Sequence, residues 1–272
     1  MSSLENLIIV RGGGDLATGT IYKLHQCGFP VLVLETENPS AIRRNVAFSE
    51  AVYQGTQTVE GLTCTLASSA AEAEEWLKRG KLTMLVDPLG TSIDLFRPLI
   101  VVDAILAKKN LSTRRDMAPI TVALGPGFTA GVDVDAVVET KRGHNLGRVL
   151  YAGAAAPNTG IPGIIGGYGK ERVIHSPAAG ILRNVAKITD TVEKGQIIAL
   201  VETEQGEVPV YATLTGLLRG LIRDGYPVPV GFKIADIDPR LDEYDNCFTI
   251  SDKARCIAGG VLEAVLHLRS KL

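Results

Sequence analysis

Near its start the chain reads Leu7-Ile8-Ile9-Val10-Arg11-Gly12-Gly13-Gly14-Asp15-Leu16-Ala17, and this stretch decides the fold prediction. A short apolar run meets a glycine loop directly, and the loop leads into residues with helical spacing that end at Gly28. The next apolar run, residues 31–34, completes a β-α-β unit of ordinary length. Further buried strands are predicted at residues 83–86, 99–102 and 120–124, and a helix is predicted at residues 70–78.

These alternating elements predict an α/β fold class: a Rossmann-like, mostly parallel sheet with helices on both faces, formed by residues 1–142. Glycine and proline then become so frequent that residues 157–163 and 166–169 should build no regular element. We expect residues 143–172 to be the domain junction, and a loop that covers a ligand is the alternative. At the far end, residues 241–272 contain an amphipathic helical segment that should pack on the body of the protein. Gly259 and Gly260 inside that helix each lower its stability by about 1 kcal/mol relative to alanine. Close approach of the helix to another backbone would explain why glycine is present there.

An internal repeat with an offset of 36 residues occupies residues 173–240. The matching pairs include Gly180 with Gly216, Val192 with Val228, and Gly195 with Gly231. The repeated pattern resembles the lipoyl/biotinyl-type β-barrel (a barrel-sandwich hybrid), whose modifiable lysine position falls here on Gln205. Because an amide cannot be acylated in this way, we expect a small β-barrel with no covalent lipoate or biotin.

The glycine loop carries the first candidate ligand site. Its Gly12, Gly13 and Gly14 fit the dinucleotide-binding pattern between a strand and a helix, where backbone amides attract phosphate. Glu35 follows the second strand at the spacing of an acidic residue that binds a ribose hydroxyl. Asp15 would repel a pyrophosphate unless a cation intervenes, and its alternative role is that of a helix N-cap in a purely structural loop.

A second candidate cluster follows another apolar strand. Its glycines, hydroxyl and basic groups suit an anionic ligand, although a bend with solvated charges is the alternative. The candidate residues of this cluster, with the arginine predicted to reach the first loop, are Gly125, Gly127, Thr129, Arg142, His144, Arg148 and Arg43. For His144, a purely structural role, in which the imidazole only forms a hydrogen bond, is as good an interpretation as ligand binding.

Composition excludes several classes of function. With 28 Lys and Arg against 30 Asp and Glu, the net charge of −2 provides no field for nucleic acid or an anionic membrane. No signal peptide or membrane span is expected, and four scattered cysteines predict reduced thiols in a cytoplasmic protein. No metal-ligand spacing and no catalytic motif are present, so the catalytic residues stay unknown and no metal is expected.

Several blocks together resemble one family, the YqeB-type accessory proteins of the selenium-dependent molybdenum hydroxylase system. The blocks are Val10-Arg11-Gly12-Gly13-Gly14-Asp15-Leu16-Ala17-Thr18-Gly19, Ile42-Arg43-Arg44, Phe48-Ser49-Glu50-Ala51, Gly125-Pro126-Gly127-Phe128-Thr129-Ala130-Gly131 and Arg142-Gly143-His144-Asn145-Leu146-Gly147-Arg148. The glycine-loop half is distantly similar to XdhC-type maturation factors for the molybdenum cofactor, but Asp15 replaces the histidine that such loops often carry.

The resemblance implies an accessory factor that matures a molybdenum hydroxylase and binds an anionic, nucleotide-like cofactor. That cofactor would be of the molybdopterin type or another nucleotide, and the partner enzyme would be a molybdenum hydroxylase. Two alternatives remain open from the residues: an NAD(P)-dependent oxidoreductase using Glu35, and a non-catalytic scaffold that binds a target enzyme through its barrel.

Overall fold

The computed structural model describes residues 4–160 and 162–272, and within them the chain forms two units. The first unit holds the chain up to Pro39, Ala47–Asn158 and Ile250–Leu272. The second unit holds Ser40–Val46 and Thr159–Thr249. Residues 1–3, and residue 161 of the predicted junction, lie outside the described part of the chain.

The first unit is built on one large sheet. Its strands are β1 (Ile8–Arg11), β2 (Val31–Glu35), β3 (Thr56–Val59), β4 (Leu62–Leu66), β5 (Leu82–Val86), β6 (Ile100–Asp103), β7 (Ile120–Leu124), β9 (Ala136–Val138) and β10 (Val149–Leu150). Two short strands, β8 (Thr129–Ala130) and β11 (Gly153–Ala154), pair separately. Within the described residues the large sheet has nine strands in the order β10-β9-β7-β6-β1-β2-β5-β4-β3.

The helices of the first unit are α1 (Asp15–Gln26), α2 (Ala51–Gln54), α3 (Ala70–Lys78), α4 (Ser92–Phe96) and α5 (Asp252–Arg269). Strand β1 is buried along its whole length, and its Ile9 packs in one apolar cluster with Leu77 of α3 and Ile93 of α4. Helix α1 packs against α5 so closely that a Cβ on Gly19 would lie 2.9 Å from the Cβ of Ala254. No helix in the described residues is both long enough and apolar enough to span a membrane.

The second unit consists of two antiparallel sheets. Its strands are β12 (Val173–His175), β13 (Gly180–Asn184), β14 (Thr191–Val192), β15 (Ile197–Thr203), β16 (Gly206–Tyr211), β17 (Gly216–Leu221), β18 (Pro227–Val228) and β19 (Lys233–Asp238). One sheet has the order β12-β19-β17-β14 and the other has the order β16-β15-β13-β18. Adding the 36-residue offset to the positions of β12, β13, β14 and β15 gives those of β16, β17, β18 and β19 to within a few residues. The internal repeat is therefore confirmed.

Gly180 and Gly216 show why the repeat carries glycine at corresponding positions. A Cβ on Gly180 would collide with the carbonyl oxygen of Glu202, and a Cβ on Gly216 would collide with that of Asp238. Both contacts join neighbouring antiparallel strands, β13 with β15 and β17 with β19. Each copy therefore needs a residue without a side chain at this position.

The predicted fold class, a Rossmann-like sheet with helices on both faces plus a lipoyl/biotinyl-like barrel, is wrong. The large sheet is mixed, because β3 and β10 pair antiparallel with their neighbours and form both of its edges. The repeat forms two separate four-stranded antiparallel sheets, with β13 pairing β18 and β14 pairing β17. The β3–β4 hairpin escaped prediction because threonine and glutamine interrupt the apolar residues of its strands, so no continuous apolar run marks them.

Candidate functional site

The parallel strands of the first unit bring several loops to one edge of the large sheet. Strands β1, β2, β5, β6, β7 and β9 run parallel, so the residues that follow them lie at the same edge. Strand β1 lies between β2 and β6, where the order of the strands along the chain reverses. Ligands of open α/β sheets commonly bind outside the carboxyl ends of the strands at such a position.

Other segments of the chain occupy most of the space around the glycine loop after β1. A Cβ on Gly12 would lie 3.0 Å from the Cα of Ile105, and one on Gly13 would lie 3.0 Å from the backbone nitrogen of Ser49. The Gly12 N–H donates to the carbonyl oxygen of Leu34, and the Gly13 carbonyl accepts from the Ser49 N–H. Only Gly14 of the three has no atom within 4 Å of a Cβ, so only Gly14 faces open space.

Glu35 holds the glycine loop in place. Its Oε2 accepts a hydrogen bond from the Gly13 N–H at 2.7 Å, and its Oε1 accepts from the Thr36 N–H at 2.8 Å. Burial raises the pKa of Glu35, and these two N–H donors oppose that rise. The carboxylate is therefore engaged in structural hydrogen bonds at the position predicted to bind a ribose.

Asp15 is the first residue of α1, and Gly14 is the N-cap. No side chain caps this helix, so the N-cap role considered for Asp15 is wrong. A carboxylate in the first helical turn is nevertheless favourable, because it faces the positive end of the helix dipole.

Other segments of the chain also pack against the second glycine cluster. A Cβ on Gly125 would collide with the hydroxyl of Thr140, and one on Gly127 would lie 2.6 Å from the Cα of Lys109. Both glycines have positive φ, +74° and +108°, which a residue with a side chain rarely adopts. The Thr129 N–H donates to Asp133 at 2.7 Å, and β8 pairs with β11.

The basic candidates have different surroundings. Arg43 belongs to the second unit, where it donates to the carbonyl oxygens of Asn246 and Thr249. In the first unit, Arg142 binds Asp252 through Nη1 at 2.7 Å and Nη2 at 3.2 Å, and the hydrogen bond to Asp252 raises the pKa of Arg142. His144 and Arg148 are both exposed.

The structure brings Asp15 and Arg142 together around a residue that sequence reasoning missed, Lys253 of α5. The charges of Asp15, Glu139, Arg142 and Asp252 all act on the Lys253 amine, and we call these five residues the Lys253 cluster. Burial is the largest effect on Lys253 and lowers its pKa; Arg142 lowers it further, while the three carboxylates oppose the change. Among the described residues, no hydrogen-bond partner and no carboxylate oxygen within 4.0 Å is found for this amine.

The carboxylates around Lys253 have partners of their own. Glu139 is buried, and its two oxygens accept from the backbone N–H groups of Lys141 and Ala156, each at 2.7 Å. Asp252 binds Arg142 as described above. Lys253 is therefore a half-buried lysine, and Glu139, Arg142 and Asp252 near it already form other hydrogen bonds.

Helix α5 is fixed firmly enough to place Lys253. A Cβ on Gly260 would collide with the carbonyl oxygen of Gly147 in the loop that carries Arg142, His144 and Arg148. The Cys256 thiol donates to the carbonyl oxygen of Leu146 in the same loop at 3.2 Å. The loop and the first half of α5 are thereby held together.

One sequence signal could have identified Lys253. Ser251 caps α5 by accepting a hydrogen bond from the Ala254 N–H, so Lys253 lies in the first turn of that helix. A cation there faces the positive end of the helix dipole, which is unfavourable. A lysine just after an N-cap serine is thus a residue whose position needs another explanation.

Comparison with known proteins gives one close sequence relative. No protein-family model matches the chain. The chain is 54% identical over 265 residues to "Uncharacterized protein YqeB" of Escherichia coli (strain K12), an alignment that covers 97% of the chain and 48% of the relative. This identity supports a YqeB-type sequence, and the chain spans about half the length of that relative.

The similar solved structures are remote. The apo Ectoine utilization protein EutE (DoeB) from Ruegeria pomeroyi is 9% identical, with 85% of this chain and 86% of that chain covered and a TM-score of 0.26. An aspartoacylase family protein from Mesorhizobium loti is 12% identical, with 86% and 85% covered and a TM-score of 0.30. A succinylglutamate desuccinylase/aspartoacylase from Rhodobacter sphaeroides is 11% identical, with 87% and 86% covered and a TM-score of 0.27. Scores this low assign no activity to the chain.

These comparisons correct the functional prediction. The predicted accessory function in molybdenum cofactor maturation finds no support: none of these similar structures carries such a name, and their low TM-scores assign no activity in its place. The NAD(P)-dependent oxidoreductase and the scaffold that binds through its barrel find no support either. The Lys253 cluster is the part of the chain from which a function can be argued.

Proposed function

We propose that the first unit binds a small molecule at the Lys253 cluster, and that Lys253 and Arg142 hold an anionic group of that molecule. The observation that carries the proposal is the Lys253 side chain, which is half-buried and whose amine has no hydrogen bond or ion pair among the described residues. An anion beside this amine would form a charge-assisted hydrogen bond that the described residues do not supply. A carboxylate and a phosphate both provide the required chemistry.

Arg142 can contribute although it already binds Asp252. A guanidinium carries five N–H donors, and the contact with Asp252 uses one from each of two nitrogens. The Arg142 side chain is about half exposed, with 47% of its surface accessible, so a ligand can reach the remaining donors. Gly14 faces open space in the neighbouring loop, which leaves room for the rest of the molecule.

The chemical identity of the molecule stays a prediction. A molybdopterin-type cofactor, another nucleotide, a molybdenum hydroxylase as partner, and the absence of nucleic acid and membrane partners are all untested expectations. The distant relationship to XdhC-type factors remains a proposal about ancestry. The place in a selenium-dependent system remains a proposal about the pathway, and neither assigns a function.

Calorimetric titration of the full chain with inorganic phosphate and with succinate tests the proposal. Lys253→Met should weaken binding of whichever anion binds by about 1.5–3 kcal/mol, the usual value of a hydrogen bond to a charged group, or roughly tenfold or more. Arg142→Gln should weaken it as well. The matched control is Lys194→Met, which removes an exposed lysine of the second unit and should leave binding unchanged.

Two results would contradict the proposal. One is the absence of measurable binding of either anion to the unmodified chain. The other is equal binding by the Lys253→Met and Lys194→Met variants, since binding would then depend on a different part of the surface. A melting curve of each variant shows whether it is folded before it is titrated.

A further inference from the structure

We infer that residues 105–109, which we call the cover loop, form a lid that lifts from the sheet edge and uncovers the backbone of both glycine loops. The cover loop follows β6, which lies between β1 and β7 in the large sheet, so it lies between the glycine loops that follow those two strands. The order of the strands reverses at β1, next to β6, and ligands of open α/β sheets bind at such a position. The inference goes beyond the proposed function, because neither Lys253 nor Arg142 takes part in it.

The first support is the contact of the cover loop with both glycine loops. A Cβ on Gly12 would lie 3.0 Å from the Cα of Ile105, at the start of the cover loop. A Cβ on Gly127 would lie 2.6 Å from the Cα of Lys109, at its end. A side chain at either glycine would therefore meet backbone, so the covered state requires glycine at both positions.

The second support is the small number of interactions that hold the middle of the cover loop. No hydrogen bond is found for residues 106–109 in the described part of the chain. Leu106 and Ala107 are only half-buried. Lys108 and Lys109 are exposed, and neither forms an ion pair with a described residue. A segment with few buried contacts and no hydrogen bonds opens at a low cost in free energy.

The third support is backbone strain in the covered state. Leu106 has a φ of +59° and Lys108 has a φ of +64°. This left-handed region is unfavourable for residues with a Cβ, whereas glycine adopts it freely. Lifting the loop lets both residues return to ordinary φ values, so the strain favours the lifted state. Strained backbone of this kind is concentrated in ligand clamps and switch regions.

The fourth support is the anchoring of both ends. Before the cover loop, the Ala104 N–H donates to the carbonyl oxygen of Arg11 at 2.8 Å. After it, Asn110 Oδ1 accepts from the Thr113 N–H at 2.8 Å, and the buried Thr113 hydroxyl donates to Asp103 at 2.6 Å. The movement is therefore confined to the segment between these anchors.

Trypsin, which cleaves after lysine, tests the lifting on the full folded chain. The protease binds an extended segment, so cleavage after Lys108 or Lys109 requires the cover loop to leave the sheet edge. We expect cleavage at these two bonds under native conditions, at a rate set by the fraction of chains with the loop lifted. Fragment masses identify the cleaved bonds, and a melting curve shows that each variant is folded.

Substitutions in the loop separate strain from flexibility. Leu106→Gly should be cleaved about two- to fivefold more slowly than Leu106→Ala, because both lose the same side-chain contacts but only glycine relieves the strain. Ala107→Gly should be cleaved about two- to fivefold faster than the unmodified chain. Ala107 has no positive φ, so glycine there only adds freedom to the lifted state.

A second pair of variants tests the contact below the loop. Gly127→Ala places a Cβ against the Lys109 backbone and should speed cleavage about tenfold or more. Gly131→Ala is the matched control, because Gly131 also has a positive φ of +83° but its Cβ would have its nearest neighbour, the carbonyl oxygen of Tyr151, at 3.8 Å. This control should be cleaved at nearly the rate of the unmodified chain.

Three results would overturn the inference. The first is the absence of cleavage at the two lysines in the folded, unmodified chain. The second is equal acceleration by Gly127→Ala and Gly131→Ala, since cleavage would then follow a general loss of stability. The third is faster cleavage of Leu106→Gly than of Leu106→Ala, since strain would then not oppose the covered state. None of these results depends on phosphate binding at the Lys253 cluster, so the proposed function is tested separately.

Discussion

Gly259 and Gly260 are neighbours in α5, and replacing each with alanine should change the stability in opposite directions. A Cβ at Gly260 would collide with the carbonyl oxygen of Gly147 and lie 2.9 Å from a methyl group of Val138. A Cβ at Gly259 would have no atom within 4 Å. The two substitutions are otherwise the same, since both exchange glycine for alanine inside one helix.

The magnitudes follow from two effects. Alanine gains about 1 kcal/mol over glycine in a helix interior, and this gain applies at both positions. Adding an atom to a tightly packed contact costs about 1–3 kcal/mol, and backbone cannot move aside as a flexible side chain can. Gly259→Ala should therefore raise the free energy of unfolding by about 0.5–1 kcal/mol, whereas Gly260→Ala should lower it by up to about 2 kcal/mol.

The assay is urea unfolding followed by circular dichroism, with calorimetric melting beside it. For a unit of this size each kcal/mol shifts the midpoint of melting by about 2–4 °C, so the two variants should melt on opposite sides of the unmodified chain. Equal stabilisation by both substitutions would refute the reasoning, because α5 would then not lie against the loop that carries Arg142. Gly260→Ala should also weaken phosphate binding, while Gly259→Ala should not.

Three more results are expected. Lys253→Met should raise the free energy of unfolding near neutral pH, because burial disfavours the charged amine in the folded chain. The gain should vanish as the pH rises through 10.5, the ordinary lysine pKa, because in that range the unfolded chain binds more protons than the folded one. Thermal melts across pH check this, and a gain independent of pH would contradict it. Intact mass of protein from a host with ample lipoate and biotin should match the bare chain, since the exposed turn between β15 and β16 carries Gln205 and no lysine, and an added mass there would show otherwise. Thr113→Val should cost about 2–3 kcal/mol in urea unfolding, because its buried hydroxyl accepts from Arg11 and donates to Asp103, and a neutral result would mean that water or another group replaces it.

Regular elements with strong local signals could be predicted from the sequence. Helix α3 begins and ends where predicted, because Ser69 caps it and its apolar residues recur at helical spacing. Strand β7 also has the predicted bounds, since Ile120–Leu124 is a continuous buried run. The polar hairpin of β3 and β4 could not be predicted in this way: its turn at Glu60 and Gly61 has positive φ at both residues, which the sequence marks only by a single glycine.

The 36-residue repeat shows a different limit. Its existence could be established from matching residues, because equal environments in two copies select equal residues. The sheet order could not, because β13 pairs with β18 and β14 pairs with β17, so each copy supplies a strand to the other's sheet. Such an exchange is decided by packing between distant segments, which a repeat in the sequence leaves open.

Lys253 illustrates why the candidate site could be predicted only in part. Asp15 and Arg142 were identified because glycine loops after apolar strands indicate the functional edge of a sheet. Lys253 lies far from both along the chain and reaches them because α5 packs on α1. The Gly259-Gly260 pair predicted a close backbone contact for this helix, which is confirmed at Gly260, but the sequence does not say which loop makes it.

The glycine loops show how one pattern can serve two purposes. A glycine beside a strand end permits close approach, and the approaching group can be a ligand or the chain itself. At Gly12 it is Ile105, and at Gly127 it is Lys109, both from the segment that follows β6. That segment occupies the space in which a dinucleotide would approach these two glycines, whereas Gly14 stays open. A ligand of the glycine loop therefore finds open space at Gly14, next to Asp15 of the Lys253 cluster.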